Sequence, residues 1–201
     1  MSVDSLANRI SQAAGTDVDG VWQRHVAPRY AVDALAGRSA LGRWGTPNSY
    51  PVLYLGQPTE SVIVEAYRHL VDPVENTALI AETTPRVLIT CTVKVTEILD
   101  LRTPGNRLLL DVPLEVLQST TRDRQAYLRC QELSAVTHQL GFHGIIAPAA
   151  TGLGTTLALF PDLLGDNEQL IRTGDNFWAQ LPPDPRRAAS KHLRAVPDSN
   201  D

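Results

Sequence analysis

Apolar and polar residues alternate along RVLITCTVKV, where Val87, Ile89, Cys91, Val93 and Val95 fall on one side, and a period of two predicts a strand with one buried face. PVLYLG, bounded by Pro51 and Gly56, is a shorter apolar run that suits a second strand. Between them the period becomes helical. After Pro58, whose missing N–H is harmless at a helix start, Val62, Ile63, Ala66, Tyr67 and Leu70 make one stripe as far as about Leu70. A 100° wheel puts Glu65 at the border of that stripe rather than on its far side. Residues 2–14 predict a short amphipathic helix, and WQRHVAPRY leads from it towards a first strand. A longer helix is expected from about Thr121 to Leu140, closed by Gly141 in the left-handed conformation. GIIAP and TTLALF are two further short strands, joined through AATGLG. Short strands with few helices and no internal repeat imply a compact α+β domain. After Leu181 the composition changes to PPDPRRAASKHLRAVPDSND, a tail expected to be disordered or to dock on another chain. The expected division is an N-terminal helical extension at 1–20, a main domain at 21–181 and the tail at 182–201.

At 201 residues, 43% hydrophobic and 20% charged, the chain can bury one sizeable core. A net charge of −4 argues against a broad grip on nucleic acid. No apolar run reaches the roughly 18 residues of a membrane span, and no signal peptide is evident, so a cytoplasmic protein is expected. Cys91 and Cys130 sit in apolar-patterned segments without CxxC spacing and read as buried free thiols. The five histidines show no metal-ligand spacing, and no metal site is expected.

Candidate chemistry lies between residues 29 and 65. Arg29 and Arg43 can grip phosphate oxygens with a planar fork, and Tyr30, Trp44 and Tyr54 can stack on a flat heterocycle. Glu65 is a carboxylate that could stabilise a developing cation. Gathered in one cleft, such groups fit NAD, whose glycosidic cleavage passes through an oxocarbenium-like state. Each residue also has a structural reading. Glu65 could be a solvated helix residue, Tyr54 sheet packing, and Arg43 with Trp44 a cation–π pair anchoring a turn. The GLG at 152–154 lacks the context of a phosphate loop and reads as a hairpin turn.

The order of these blocks resembles the RES domain family. Arg29-Tyr30 stands for its basic-aromatic opening segment, Gly42-Arg43-Trp44 for its G-R-W block, and Pro51 to Leu55 for its P-x-x-Y-L strand. Glu65 stands for its helix glutamate, and GIIAPAATGLGTTLALFPD for its closing strands. The resemblance covers roughly residues 22–162 and implies an ADP-ribosyltransferase-like core of short, mostly antiparallel strands with a few flanking helices. It implies the toxin of a type II toxin–antitoxin pair, which uses NAD as substrate and needs no bound cofactor. Such a toxin breaks the nicotinamide bond with water or phosphate, or passes ADP-ribose to a protein. Its partner is an Xre-type helix-turn-helix antitoxin that covers the cleft, in a possible hetero-oligomer. Carried over, Glu65 is the central acid, Arg29 and Arg43 meet the pyrophosphate or ribose, Tyr30 and Tyr54 line the nicotinamide pocket, and Trp44 joins them. The family serine is missing, because Pro148 is followed by Ala149 and Ala150, with Thr151 and Thr155 as nearby hydroxyls. A protein ADP-ribosyltransferase and a non-catalytic nucleotide-binding or interaction module are the alternatives.

Overall fold

The structure is a computed structural model and describes residues 3–72, 85–120 and 122–187. Six strands form one sheet: β1 (Gly15–Val26), β2 (Leu53–Gln57), β3 (Arg86–Asp100), β4 (Gly144–Pro148), β5 (Thr155–Leu159) and β6 (Gln169–Trp178). Their order is β1-β2-β5-β4-β3-β6, and β1 pairs in addition with β3, from Gly15 opposite Leu99 to Val26 opposite Val87. The first five strands therefore close on themselves, while β6 lies along the other edge of β3. The seam between β1 and β2 is thin, with Gln23 opposite Gly56. β3 and β4 run parallel, and every other pairing is antiparallel.

Closure explains the period-two patterns. Trp22, Leu53, Leu55, Cys91, Val93, Val95, Ile146, Leu157 and Leu159 fill the inside of the ring. Their neighbours Ile145, Ala147, Ala158 and Phe160 point outward into a second cluster. Helices α1 (Val3–Gln12), α3 (Pro104–Leu110), α4 (Leu114–Leu117) and α5 (Arg124–Gln139) make the outer layer, with Leu6, Ile10, Leu133 and Val136 buried in that cluster. β3 runs five residues beyond its regular alternation because Glu97, at φ 54°, breaks the register and turns Leu99 outward. α5 starts where Asp123 accepts from the Ala126 N–H, and Gly141 closes it at φ 82°.

Helix α2 (Thr59–Leu70) begins after Pro58 and lies against the outer side of β3, where Val62 and Ile63 meet Leu88 and Trp178. One end of the ring is closed by the loop after β1, through Ala31, Ala34 and Leu35 against Val26, Val87 and Ile89. α1 is part of the core, and β1 runs through residue 20. Residues 182–187 lie by the end of α2: Tyr67 donates to the Pro182 carbonyl at 2.9 Å, and Arg186 pairs with Asp72 at 2.7 Å. The expectation for 188–201 falls outside the described residues, as does Thr121. Cys91 and Cys130 are both buried free thiols.

Candidate active site

Where β1 ends, the chain passes through a 3-10 turn (Pro28–Tyr30) and doubles back over the end of the ring. Alternation sends Arg24 inward between Trp22 and Val26. Its Nη1 donates to the Ala34 carbonyl at 2.8 Å, but its Nε is buried without a partner, and no carboxylate among the described residues pairs with it. Burial, and then the charge of Arg38, pull its pKa down to about 10. A buried cation lacking a counter-ion is costly, and an incoming anion would offset that cost. A cavity of about 210 Å³ opens beside it, lined by Arg24, His25, Tyr30, Asp33, Arg38 and Arg86 with the backbone around them. That is below the roughly 300–1,000 Å³ that encloses a whole small molecule, so the cavity suits a charged group of a larger ligand.

At the rim, Tyr30 is 38% exposed, and the guanidiniums of Arg29 and Arg38 lie 4.8 and 4.1 Å from its ring centroid. Hydrogen bonding from Arg29, with help from Arg38, holds the phenol below the ordinary tyrosine pKa. The rim thus offers two cations and a flat ring.

On the opposite face of β1, Gln23 accepts from Thr59 Oγ1 of α2 at 2.6 Å and donates to Thr90 Oγ1 at 3.3 Å. His25, two residues on, shares this face. Its Nδ1 is buried with no partner, and burial, then Arg86, His69 and Arg24, depress its pKa to about 3. Arg86 Nε is likewise buried and unpartnered; burial and then Arg29 lower the pKa of that guanidinium. His69 Nδ1 stands 3.3 Å from Glu65 Oε1, on a carboxylate side chain 41% exposed. Arg29, Arg86, His25, His69 and Glu65 are therefore linked in sequence by contact or charge.

The depressed pKa of His25 has a stability consequence. Below its ordinary pKa of about 6.5 the unfolded chain takes up a proton that the folded chain refuses until about pH 3. Stability from this residue is full above pH 6.5 and falls with pH in that window, by at most about 1.4 kcal/mol per unit. Urea unfolding of the native protein should lose midpoint faster between pH 6.5 and 4 than that of His25→Gln. Parallel slopes would place the imidazole in solvent.

Arg43, Trp44 and Tyr54 lie elsewhere. Arg43 is 8% exposed; Nη1 donates to the Val116 carbonyl at 2.8 Å and Ser119 Oγ at 3.0 Å, and Nη2 to the Ser119 carbonyl at 2.6 Å. Its guanidinium lies 4.6 Å from the Tyr127 ring centroid. Trp44 is buried, and its backbone N–H donates to Tyr54 Oη at 2.9 Å, while burial raises the Tyr54 pKa. A Cβ at Gly42 would sit 2.6 Å from that oxygen, which is why this turn carries glycine. Gly42-Arg43-Trp44 and Tyr54 form one unit that ties the segment before β2 to α4 and α5. Of the six residues expected at the site, Tyr30 lines the cavity with Arg29 over its ring, Glu65 lies on α2 beside His69 and outside the cavity lining, and Arg43, Trp44 and Tyr54 are packed together elsewhere.

Arg24, His25, Arg38 and Arg86 were not singled out from sequence. Arg24 did carry a signal, an arginine at an inward strand position between Trp22 and Val26. Near the missing serine, Thr151 Oγ1 lies 3.3 Å from Ser61 Oγ of α2. Among the described residues no three His, Cys, Asp or Glu side chains converge as metal ligands, and no helix is long and apolar enough to cross a membrane.

Comparison with known proteins adds to this geometry. The chain is 28% identical over 138 residues to the NAD(+) phosphorylase MbcT of Mycobacterium bovis and to that of Mycobacterium tuberculosis, covering 64% of this chain and 67% of each relative. The solved M. tuberculosis MbcT-MbcA toxin–antitoxin complex contains a chain of similar fold, with a TM-score of 0.74 at 22% identity over 97% of this chain and 100% of that one. The RES domain profile matches residues 21–181, which include the second half of β1 from Val21, the cavity, Glu65 and the rest of the sheet. The chain belongs to the RES domain family.

Proposed function

We propose that this chain is a toxin that degrades NAD by breaking the bond between nicotinamide and ribose and passing ADP-ribose to phosphate or water. The observation that carries the reading is the guanidinium of Arg24, which has a buried Nε without a partner and no carboxylate beside it among the described residues, at a cavity it shares with Arg38 and Tyr30. In this reading Arg24 and Arg38 receive the pyrophosphate, as bidentate guanidiniums do. Arg29 closes the rim, and Tyr30 offers its face to a ring of the dinucleotide. Glu65 acts from α2. As positive charge grows on the ribose, its carboxylate attracts the transition state more than the ground state. Arg43, Trp44 and Tyr54 support the site from the core by fixing the segment between β1 and β2.

The name of the MbcT relatives supports the chemistry and favours phosphate as the acceptor. The closed, mostly antiparallel sheet is in keeping with an ADP-ribosyltransferase-like core, and residues 21–181 are the catalytic unit, with α1 packed on it. An enzyme that consumes NAD in the cytoplasm endangers its producer, so a helix-turn-helix antitoxin covering the cavity completes the reading, in keeping with the toxin–antitoxin complex of the structural neighbour. Induced expression without an antitoxin should lower intracellular NAD before growth stops. Growth arrest with NAD unchanged would refute the proposal.

A further inference from the structure

The cavity holds more positive charge than one dinucleotide needs. NAD brings two phosphate charges and one positive nicotinamide, whereas Arg24, Arg38 and Arg86 face a single lining carboxylate, Asp33. The cations also divide by direction. Successive strand residues point to opposite faces, so Arg24 faces the ring interior while His25 faces α2. Two unpartnered buried nitrogens, His25 Nδ1 and Arg86 Nε, mark that second side. The charged groups acting on His25 are Arg86, His69 and Arg24, all basic, and Arg29 acts on Arg86.

We propose that Arg86 and His25 form a separate subsite that holds inorganic phosphate as the acceptor, on the α2 side of the cavity. The inference rests on the NAD-cleaving reading and assigns residues to the acceptor of that same site. Arg86 Nε–H, and His25 as its Nδ1–H tautomer, are the donors that lack acceptors, and two donors with a positive charge suit a phosphate oxygen pair. The charge of His69 on α2 bears on His25, and His69 Nδ1 stands 3.3 Å from Glu65 Oε1, so the subsite lies on the α2 side, from which Glu65 acts in that reading. A dianion next to a carboxylate would be repelled, and Arg86 offsets that repulsion. In the step itself a phosphate oxygen bonds to C1 of the ribose as the C1–N1 bond breaks. The electron pair of that bond leaves on the nicotinamide nitrogen, which becomes neutral. The proton of hydrogen phosphate stays on the product phosphate or passes to water according to pH.

Arg86→Gln, which removes the charge at similar length, should raise the KM for phosphate roughly tenfold or more, the loss expected for a charge-assisted bond. The KM for phosphate should rise several-fold more than the KM for NAD, because Arg24 and Arg38, which receive the pyrophosphate, are kept. Arg86→Lys should recover part of the phosphate affinity. A rise in KM for NAD equal to that for phosphate would overturn the proposal, as would an unchanged KM for phosphate. Titrating orthophosphate alone into protein labelled with 15N-histidine gives a readout free of catalysis. Saturable shifts of the His25 ring signals, lost in Arg86→Gln, are expected. Their absence from the native protein would overturn the subsite even if NAD is cleaved. Their presence in a protein that never cleaves NAD would sustain the phosphate site and defeat the catalytic reading instead.

Discussion

Replacing Glu65 by glutamine is expected to slow NAD cleavage by about 10²–10³-fold, the usual effect of removing one preorganised electrostatic contact from a transition state. Shape is nearly kept and charge is lost, so the effect should fall on kcat. Folding should hardly notice. The carboxylate is 41% exposed, and the ion pair seen at it is with His69, an i,i+4 arrangement worth about 0.3–0.5 kcal/mol on an exposed helix. Nicotinamide release and urea unfolding, measured on the same preparation, separate the two effects. A folded variant with full turnover would return Glu65 to the role of a solvated helix residue.

The second large effect is a contrast between two buried arginines. Arg43 donates hydrogen bonds to Val116 and Ser119 and lies over Tyr127, so Arg43→Ala leaves several acceptors unpaired and opens a void. With hydrogen bonds to charged groups worth about 1.5–3 kcal/mol each, a loss of about 3 kcal/mol or more is expected. Arg24 is the opposite case. Its charge is buried without a counter-ion, so Arg24→Met, which keeps an unbranched chain between Trp22 and Val26, should leave stability unchanged or improve it. NAD turnover should nevertheless collapse, because the site loses the cation at its floor. Denaturation midpoints and turnover for both variants check the pair. A destabilised Arg24→Met together with a fully stable Arg43→Ala would reverse the roles assigned here.

The strands over 51–56, 86–95, 144–148 and 155–160 were legible because each buries one face, and burial writes a period of two into the chain. α2 and the end of α5 were legible from Pro58 and Gly141, which act through backbone geometry alone. β6 was not, since LIRTGDNFW borders the sheet with most side chains in solvent, and Ile171 and Phe177 stay exposed. β1 was only partly visible because Arg24 and His25 interrupt its apolar register, and those interruptions are the cavity. α3 was hidden by its seven-residue length, although Thr103 and Pro104 open it as a cap and first residue. Around the site, local sequence gave residue types but not their direction. Arg43-Trp44 and Arg29-Tyr30 look alike as basic-aromatic pairs. Only the pairing of distant strands shows that the first pair faces α4 and α5 while the second borders a cavity.

Cleavage of NAD in the cavity beside Arg24 is tested by mass spectrometry of the pure protein incubated with NAD, with and without phosphate. Native protein should release nicotinamide together with ADP-ribose 1-phosphate when phosphate is present, and Arg24→Met, folded to the same midpoint, should release neither above background. Intact NAD after incubation with the native protein, or equal nicotinamide release by Arg24→Met, would contradict the account.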